Sequence, residues 1–313
     1  MFRLTTSRLS FLALPLLAIA APAAAQGCGP GLQPGENIVP VTAGGTTRQV
    51  LVHLPTSYDG RTRMPLVLNL HGSGSRGAEQ LKSSGMAATA DRHGFIVAAP
   101  DAGIPVNDGK GFVWNIPGVP TIAGEVPGPG DADDVAFTAA LIDTLAARAC
   151  VDKTRVYSTG LSGGGRMSSW LGCALSDRIA AIAPVVGLRA GRARADDLAK
   201  VDDASCTPTN PMPVMAFSGG ADRTNPNAGG EGARWGYSLE TAVQRWATIN
   251  GCGPPLPRYY RAADVTVDAR GGCKARSELV SVIDTDGGHN WSVANNDAMW
   301  AFFARHRRQD TTR

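Results

Sequence analysis

The chain has none of the cysteine or histidine spacings that usually hold a metal. No two of its six cysteines form a C-x-x-C pair, and no two of its five histidines form an H-x-x-x-H pair. A zinc site is therefore not expected, and the site should need no metal. Charge of one sign is equally scarce. The formal net charge is +3 over 313 residues, which argues against nucleic acid as the main partner. Beyond the N-terminus no apolar run is long enough to cross a bilayer, and no Ser/Pro-rich linker or internal repeat divides the chain. These absences lead to the expectation of a single soluble domain.

The N-terminus carries its own signal. Arg3 and Arg8 precede an apolar run at 11–20, and Ala23, Ala24 and Ala25 put small residues before Gln26. The pattern is that of a secretory signal peptide over 1–25, with an apolar run too short to span a membrane. Its removal leaves a chain of net charge +1, large enough for an ample core. All six cysteines lie in that mature part, and an even number in an exported chain reads as disulfides. The expected organisation is one domain over 26–304 and a flexible polar tail over 305–313, secreted to the periplasm or medium.

Short strand-like runs at 37–42 and 48–54 flank Gly44-Gly45 and read as an antiparallel hairpin. The pattern then changes to apolar strands (64–70, 95–99, 155–159, 179–186, 214–218, 279–284) alternating with helices (79–93, 133–150, 163–175, 238–250, 294–306). Such alternation predicts an α/β fold: a mostly parallel sheet with helices on both faces and an antiparallel N-terminal edge. Two Gly/Pro-rich or irregular stretches, 103–130 and 188–213, each follow an apolar strand. They should leave the carboxyl edge of the sheet, where ligands bind in such folds.

The informative segment is Gly160-Leu161-Ser162-Gly163-Gly164. A strand runs into G-x-S-x-G and straight on into a helix, so the backbone turns sharply and lifts the Ser162 hydroxyl above the sheet. A serine hydroxyl is a weak nucleophile and needs a base with a group to orient it. Asp222 and His289 lie in loops after the strands at 214–218 and 279–284, in the chain order Ser, Asp, His that this arrangement requires. Asp264, Asp284 and Asp286 are the competing acids. A pair of backbone N–H groups for the oxyanion is expected from Gly163 and from the loop His71-Gly72-Ser73-Gly74, with Ser73 the preferred donor. His71 is expected to brace that loop.

Several segments together resemble one family: VLNLHGSGS, AAPDAG, CVDKTRVYSTGLSGGGRMSSWLGC, AAIAPVVG, FSGGADRTNP and DGGHNW. They are similar to those of the secreted esterases that include poly(3-hydroxybutyrate) depolymerase-like proteins and feruloyl esterases. The surroundings of Cys28 and Cys252 look like the feruloyl esterases among them. The resemblance covers most of the chain and implies an α/β-hydrolase fold, no cofactor, Ser162 as nucleophile, Asp222 as acid and His289 as base. Only 24 residues follow His289, which leaves no room for the linker and surface-binding domain of enzymes that attack solid polyester. Small or oligomeric esters are the expected substrates, met by a monomer. Trp114, Trp235 and Trp291 lie in loops expected near the site and could stack on a phenolic acyl group. In such a fold Cys150, Cys173 and Cys206 fall towards the edge away from the site. The expected pairs are Cys28–Cys150 and Cys173–Cys206, with Cys252–Cys273 closing a local loop.

The resulting expectation is a serine carboxylic-ester hydrolase working through an acyl-enzyme. An acyltransferase with a sugar or lipid hydroxyl as acceptor would use the same triad. A non-catalytic binding protein on the same scaffold would more usually lose a triad member, and a serine peptidase would add a propeller or lid domain.

Overall fold

The chain enters the sheet through a hairpin, β1 (Gly35–Ala43) and β2 (Thr46–Leu54), that turns at Gly44 and Gly45, both at positive φ. In this computed structural model the described residues are Cys28, 31–106, 108–257, 260–261 and 264–308. The expected leader lies outside them. β3 (Met64–Leu70) has no polar alternation because both of its faces are covered, and all seven of its residues are buried. Helices α1 (Gly77–Ser84) and α2 (Met86–His93) lead to β4 (Ile96–Ala99). The sequence pattern predicts one helix over 79–93, but Gly85 adopts φ 63° and splits it. A left-handed residue ends one helix and redirects the chain.

A small hairpin, β5 (Ile104–Val106) and β6 (Gly111–Val113), forms inside the irregular 103–130 stretch. Then follow α3 (Asp134–Arg148), β7 (Val151–Leu161), α4 (Gly163–Ala174), β8 (Ala181–Val185) and β9 (Val214–Gly219). The short α5 (Gly232–Trp235) and α6 (Leu239–Asn250) precede β10 (Tyr260–Arg261), β11 (Val265–Arg270), β12 (Leu279–Asp284) and α7 (Asn296–Ala304).

The main sheet has ten strands in the order β1-β2-β4-β3-β7-β8-β9-β12-β11-β10. The six strands from β4 to β12 pair in parallel, and β1–β2 form the expected antiparallel N-terminal edge. A second antiparallel edge, β11–β10, closes the other side. Val265–Arg270 escaped sequence reading because it is only half-buried and carries polar residues. One face of the sheet is covered by α3, α4 and α6, through Phe137, Leu141, Met167, Leu171 and Trp246. The other is covered by α1, α2 and α7, through Leu81, Met86, Phe302 and Phe303.

Three disulfides join Cys28 to Cys150, Cys173 to Cys206 and Cys252 to Cys273. Past α7 the chain is still held: His306 is buried and the Arg308 N–H donates to the Thr154 carbonyl at 2.9 Å. The stretch expected to be loose from 305 is thus packed as far as 308, and its last residues lie outside those described.

Candidate active site

Ser162 alone makes the turn between β7 and α4, with φ 55° and ψ −112°. A non-glycine residue in that region costs on the order of 1–3 kcal/mol, so the neighbours must enforce it. The Ser162 N–H donates to the Val185 carbonyl at 2.9 Å, and its carbonyl accepts from Arg166 N at 2.8 Å. Crowding sets the surrounding glycines. A Cβ on Gly160 would lie 2.5 Å from the Leu70 carbonyl oxygen, and one on Gly164 would lie 2.5 Å from that of His71. The glycines therefore let β7 and α4 lie against the end of β3.

The loops after β9 and β12 are stitched together by backbone bonds, Gly220 N to Asp284 O (2.7 Å) and Ala221 N to Gly287 O (2.9 Å). This places Asp222 beside His289. His289 Nδ1 lies 2.7 Å from Asp222 Oδ2, and His289 Nε2 lies 2.7 Å from Ser162 Oγ. The other carboxylate oxygen of Asp222 accepts from Thr224 N (2.8 Å) and Asn225 N (2.9 Å). A carboxylate so placed fixes Nδ1 as the protonated nitrogen and leaves Nε2 to accept from the serine. Of the competing acids, Asp284 accepts from the Asp286 N–H in its own turn.

Ser73 and Gly163 also meet. A Cβ on Gly163 would collide with Ser73 Oγ and lie 3.1 Å from Ser73 N. His71, fully buried, braces this loop. Its Nδ1 donates to the Gly72 carbonyl (2.7 Å) and its Nε2 accepts from Ala102 N (2.9 Å). Burial holds its pKa below the ordinary imidazole value.

The Ser162 hydroxyl opens onto a cavity of about 370 Å³ whose walls include His289, Ser73, Ile122, Trp235 and Arg234. Of the three tryptophans singled out from the sequence, only Trp235 lines it. Trp114 is buried and donates from Nε1 to the His71 carbonyl at 2.8 Å, so it supports the loop from behind. Trp291 is buried among Met299, Phe302 and Phe303 and donates to Asn296 Oδ1 at 3.0 Å. It turns away from the cavity because its apolar ring completes the core under α7. Arg234, Ile122 and Thr224 line the cavity without any sequence signal, since nothing local marks a residue that folds over a distant strand end.

The sheet order, the strained serine turn and the loop-borne Asp and His define an α/β-hydrolase fold. The solved acetyl xylan esterase from Aspergillus awamori shares it, with a TM-score of 0.61 at 15% identity over 86% of this chain and 99% of that one. The sequence profile of the esterase PHB depolymerase family matches residues 51–212, and the chain belongs to that family. Feruloyl esterase B of Piromyces equi is 34% identical over 215 residues, covering 66% of this chain and 36% of that protein. Feruloyl esterase D of Neurospora crassa is 28% identical over 317 residues, covering 97% of each. The chain spans between 36% and 59% of the length of three of its relatives, the Piromyces enzyme among them.

Proposed function

We propose that the protein is an exported serine carboxylic-ester hydrolase acting on hydroxycinnamoyl or short hydroxyalkanoate-type esters. The observation that carries this reading is the unbroken hydrogen-bonded line from Asp222 through His289 to Ser162 at the mouth of a cavity. His289 Nε2 takes the Ser162 proton as Oγ attacks the ester carbonyl carbon. The N–H groups of Gly163 and Ser73 receive the oxyanion. Collapse expels the alcohol, which takes the proton from His289. Water then repeats the sequence on the acyl-enzyme and releases the acid. Asp222 stabilises the imidazolium at each stage.

The names of the relatives, feruloyl esterases and a poly(3-hydroxyalkanoate) depolymerase, support the ester class. Trp235 and Ile122 supply an apolar wall for the acyl group. Export is supported by the leader pattern and the three disulfides.

A fluorophosphonate probe should label the wild-type chain and fail to label Ser162→Ala. Methyl ferulate and 4-nitrophenyl acetate should be turned over faster than 4-nitrophenyl decanoate. An unlabelled wild-type protein would return the fold to a binding role.

A further inference from the structure

Three arginines converge behind the Ser162 cavity around a single tryptophan. The guanidinium carbons of Arg189, Arg166 and Arg234 lie 4.8, 5.3 and 5.6 Å from the Trp235 ring centre. Arg166 and Arg189 are each only 3% exposed. Buried guanidiniums are normally paired with carboxylates, yet these are held by neutral acceptors. Arg166 donates to the carbonyls of Arg234 and Ala233, and Arg189 to the Leu188 carbonyl and Asn225 Oδ1. Arg189 Nε is buried with no partner among the described residues. Among the described residues none of the three arginines forms an ion pair with a carboxylate; the nearest acid along their hydrogen bonds is Asp222, reached through Asn225. Burial, then the charge of Arg189, pushes Arg166 down to about 9, and burial alone lowers Arg234. The group is therefore a patch of positive charge without a directly paired carboxylate, softened by the face of Trp235.

Arg234 carries that charge into the cavity. It lines the wall beside Ser162, and its Nη2 donates to Ser73 Oγ at 2.6 Å. That bond uses one of its five N–H groups. Its bond to Ser73 sets the Arg234 guanidinium beside the loop expected to hold the oxyanion, in the same cavity as Ser162.

We propose that Arg234 is the specificity-determining residue of the Ser162 cavity, and that the site prefers esters bearing a free carboxylate a few bonds from the scissile carbonyl. Half-esters of short dicarboxylic acids and the acid-terminal ester of a hydroxyacid oligomer have this form. The proposal rests on the ester-hydrolase reading and narrows it. A carboxylate entering the cavity meets Arg234 as a charge-assisted partner in a partly desolvated setting, where such bonds are strongest. Arg166 and Arg189 add to the attraction from below without touching the substrate.

Two matched pairs test this. Mono-4-nitrophenyl glutarate is compared with its methyl ester, which places the charge on the acyl side. The 3-hydroxybutyrate dimer is compared with its methyl ester, which places the charge on the alcohol side. The readout is the ratio of kcat/KM for the charged over the neutral member, so any general loss from disturbing Ser73 cancels. Arg234→Gln should lower that ratio about tenfold or more in at least one pair. Arg234→Lys, which keeps a point charge, should retain part of the preference, and 0.5 M salt should shrink it in wild type. Whichever pair responds shows on which side of the ester the carboxylate sits. A ratio unchanged within twofold by Arg234→Gln in both pairs overturns the proposal.

Binding is measured in parallel by calorimetry, with the free-acid dimer as probe. Ser162→Ala should bind it about tenfold more tightly than the Ser162→Ala, Arg234→Gln double variant, and equal affinities overturn the proposal. Binding tests the charge preference even if no ester is hydrolysed, which would be a failure of the ester-hydrolase reading alone.

Discussion

Ser162 occupies a backbone region that an alanine or serine rarely adopts, and it does so because β8 and α4 hold it there from both sides. This turn places Oγ 2.7 Å from His289 Nε2, as the proposed nucleophilic role requires. Asp222→Asn should then lower kcat by about three to four powers of ten, because an amide can leave Nδ1 unprotonated and His289 in the wrong tautomer. Steady-state kinetics on 4-nitrophenyl acetate would show it, and a loss below tenfold would remove Asp222 from the charge-stabilising role. Trp291 behaves differently despite standing two residues from His289. Its ring is 9% exposed and packs beneath α7, so Trp291→Ala should cost stability, about 3–5 kcal/mol. The ratio of methyl ferulate to 4-nitrophenyl acetate turnover should stay as it is. A shift in that ratio with unchanged melting would make the ring a substrate contact after all.

At the scale of elements, helix starts were the most readable feature because their caps are local. Asp133 accepts from Val135 N and Ala136 N at 3.0 and 2.9 Å and so opens α3 where the sequence places it. Asp133→Ala should lower unfolding free energy by about 1 kcal/mol, seen as a shifted urea midpoint at unchanged slope. Ser238 caps α6 in the same way. The break at Gly85 was not readable, since the apolar spacing runs on through both helices. Only the docking of Ser84 and Met86 against the sheet face requires the turn. β11 was missed for a related reason. It is a half-buried strand, and its pairing with β12 rather than its own pattern makes it a strand.

At the scale of the whole molecule, the closure of a long disulfide loop and the burial of ionisable groups bear on stability. The bond between Cys28 and Cys150 spans 122 residues and ties the N-terminal segment to the start of β7. A loop of that size is worth roughly 4–5 kcal/mol in the chain-entropy account. Reduction should therefore lower the melting temperature markedly, and a melt unaffected by complete reduction would contradict this. His71 sets a pH limit. Its folded pKa lies below the ordinary value of 6.5 because burial disfavours the cation, and protonating Nε2 would break its bond from Ala102. The unfolded chain takes up the proton first, so stability is full above about pH 6.5 and is lost as pH falls below it. His306, lowered mainly by its burial, acts in the same direction. Melting at pH 7.5 should exceed melting at pH 5, and His71→Gln should flatten the difference.

The sequence by itself determined the fold class, the serine turn and the loops that carry Asp222 and His289, because strand periodicity, glycine punctuation and chain order are written in contiguous residues. The low net charge, by contrast, said nothing of where charge gathers. Only the tertiary structure decided that Trp291 and Trp114 are supports, that Trp235 faces the cavity, and that Arg166, Arg189 and Arg234 gather around Trp235. Those contacts join segments tens of residues apart, and which side chains share a wall depends on how those segments fold over the sheet edge.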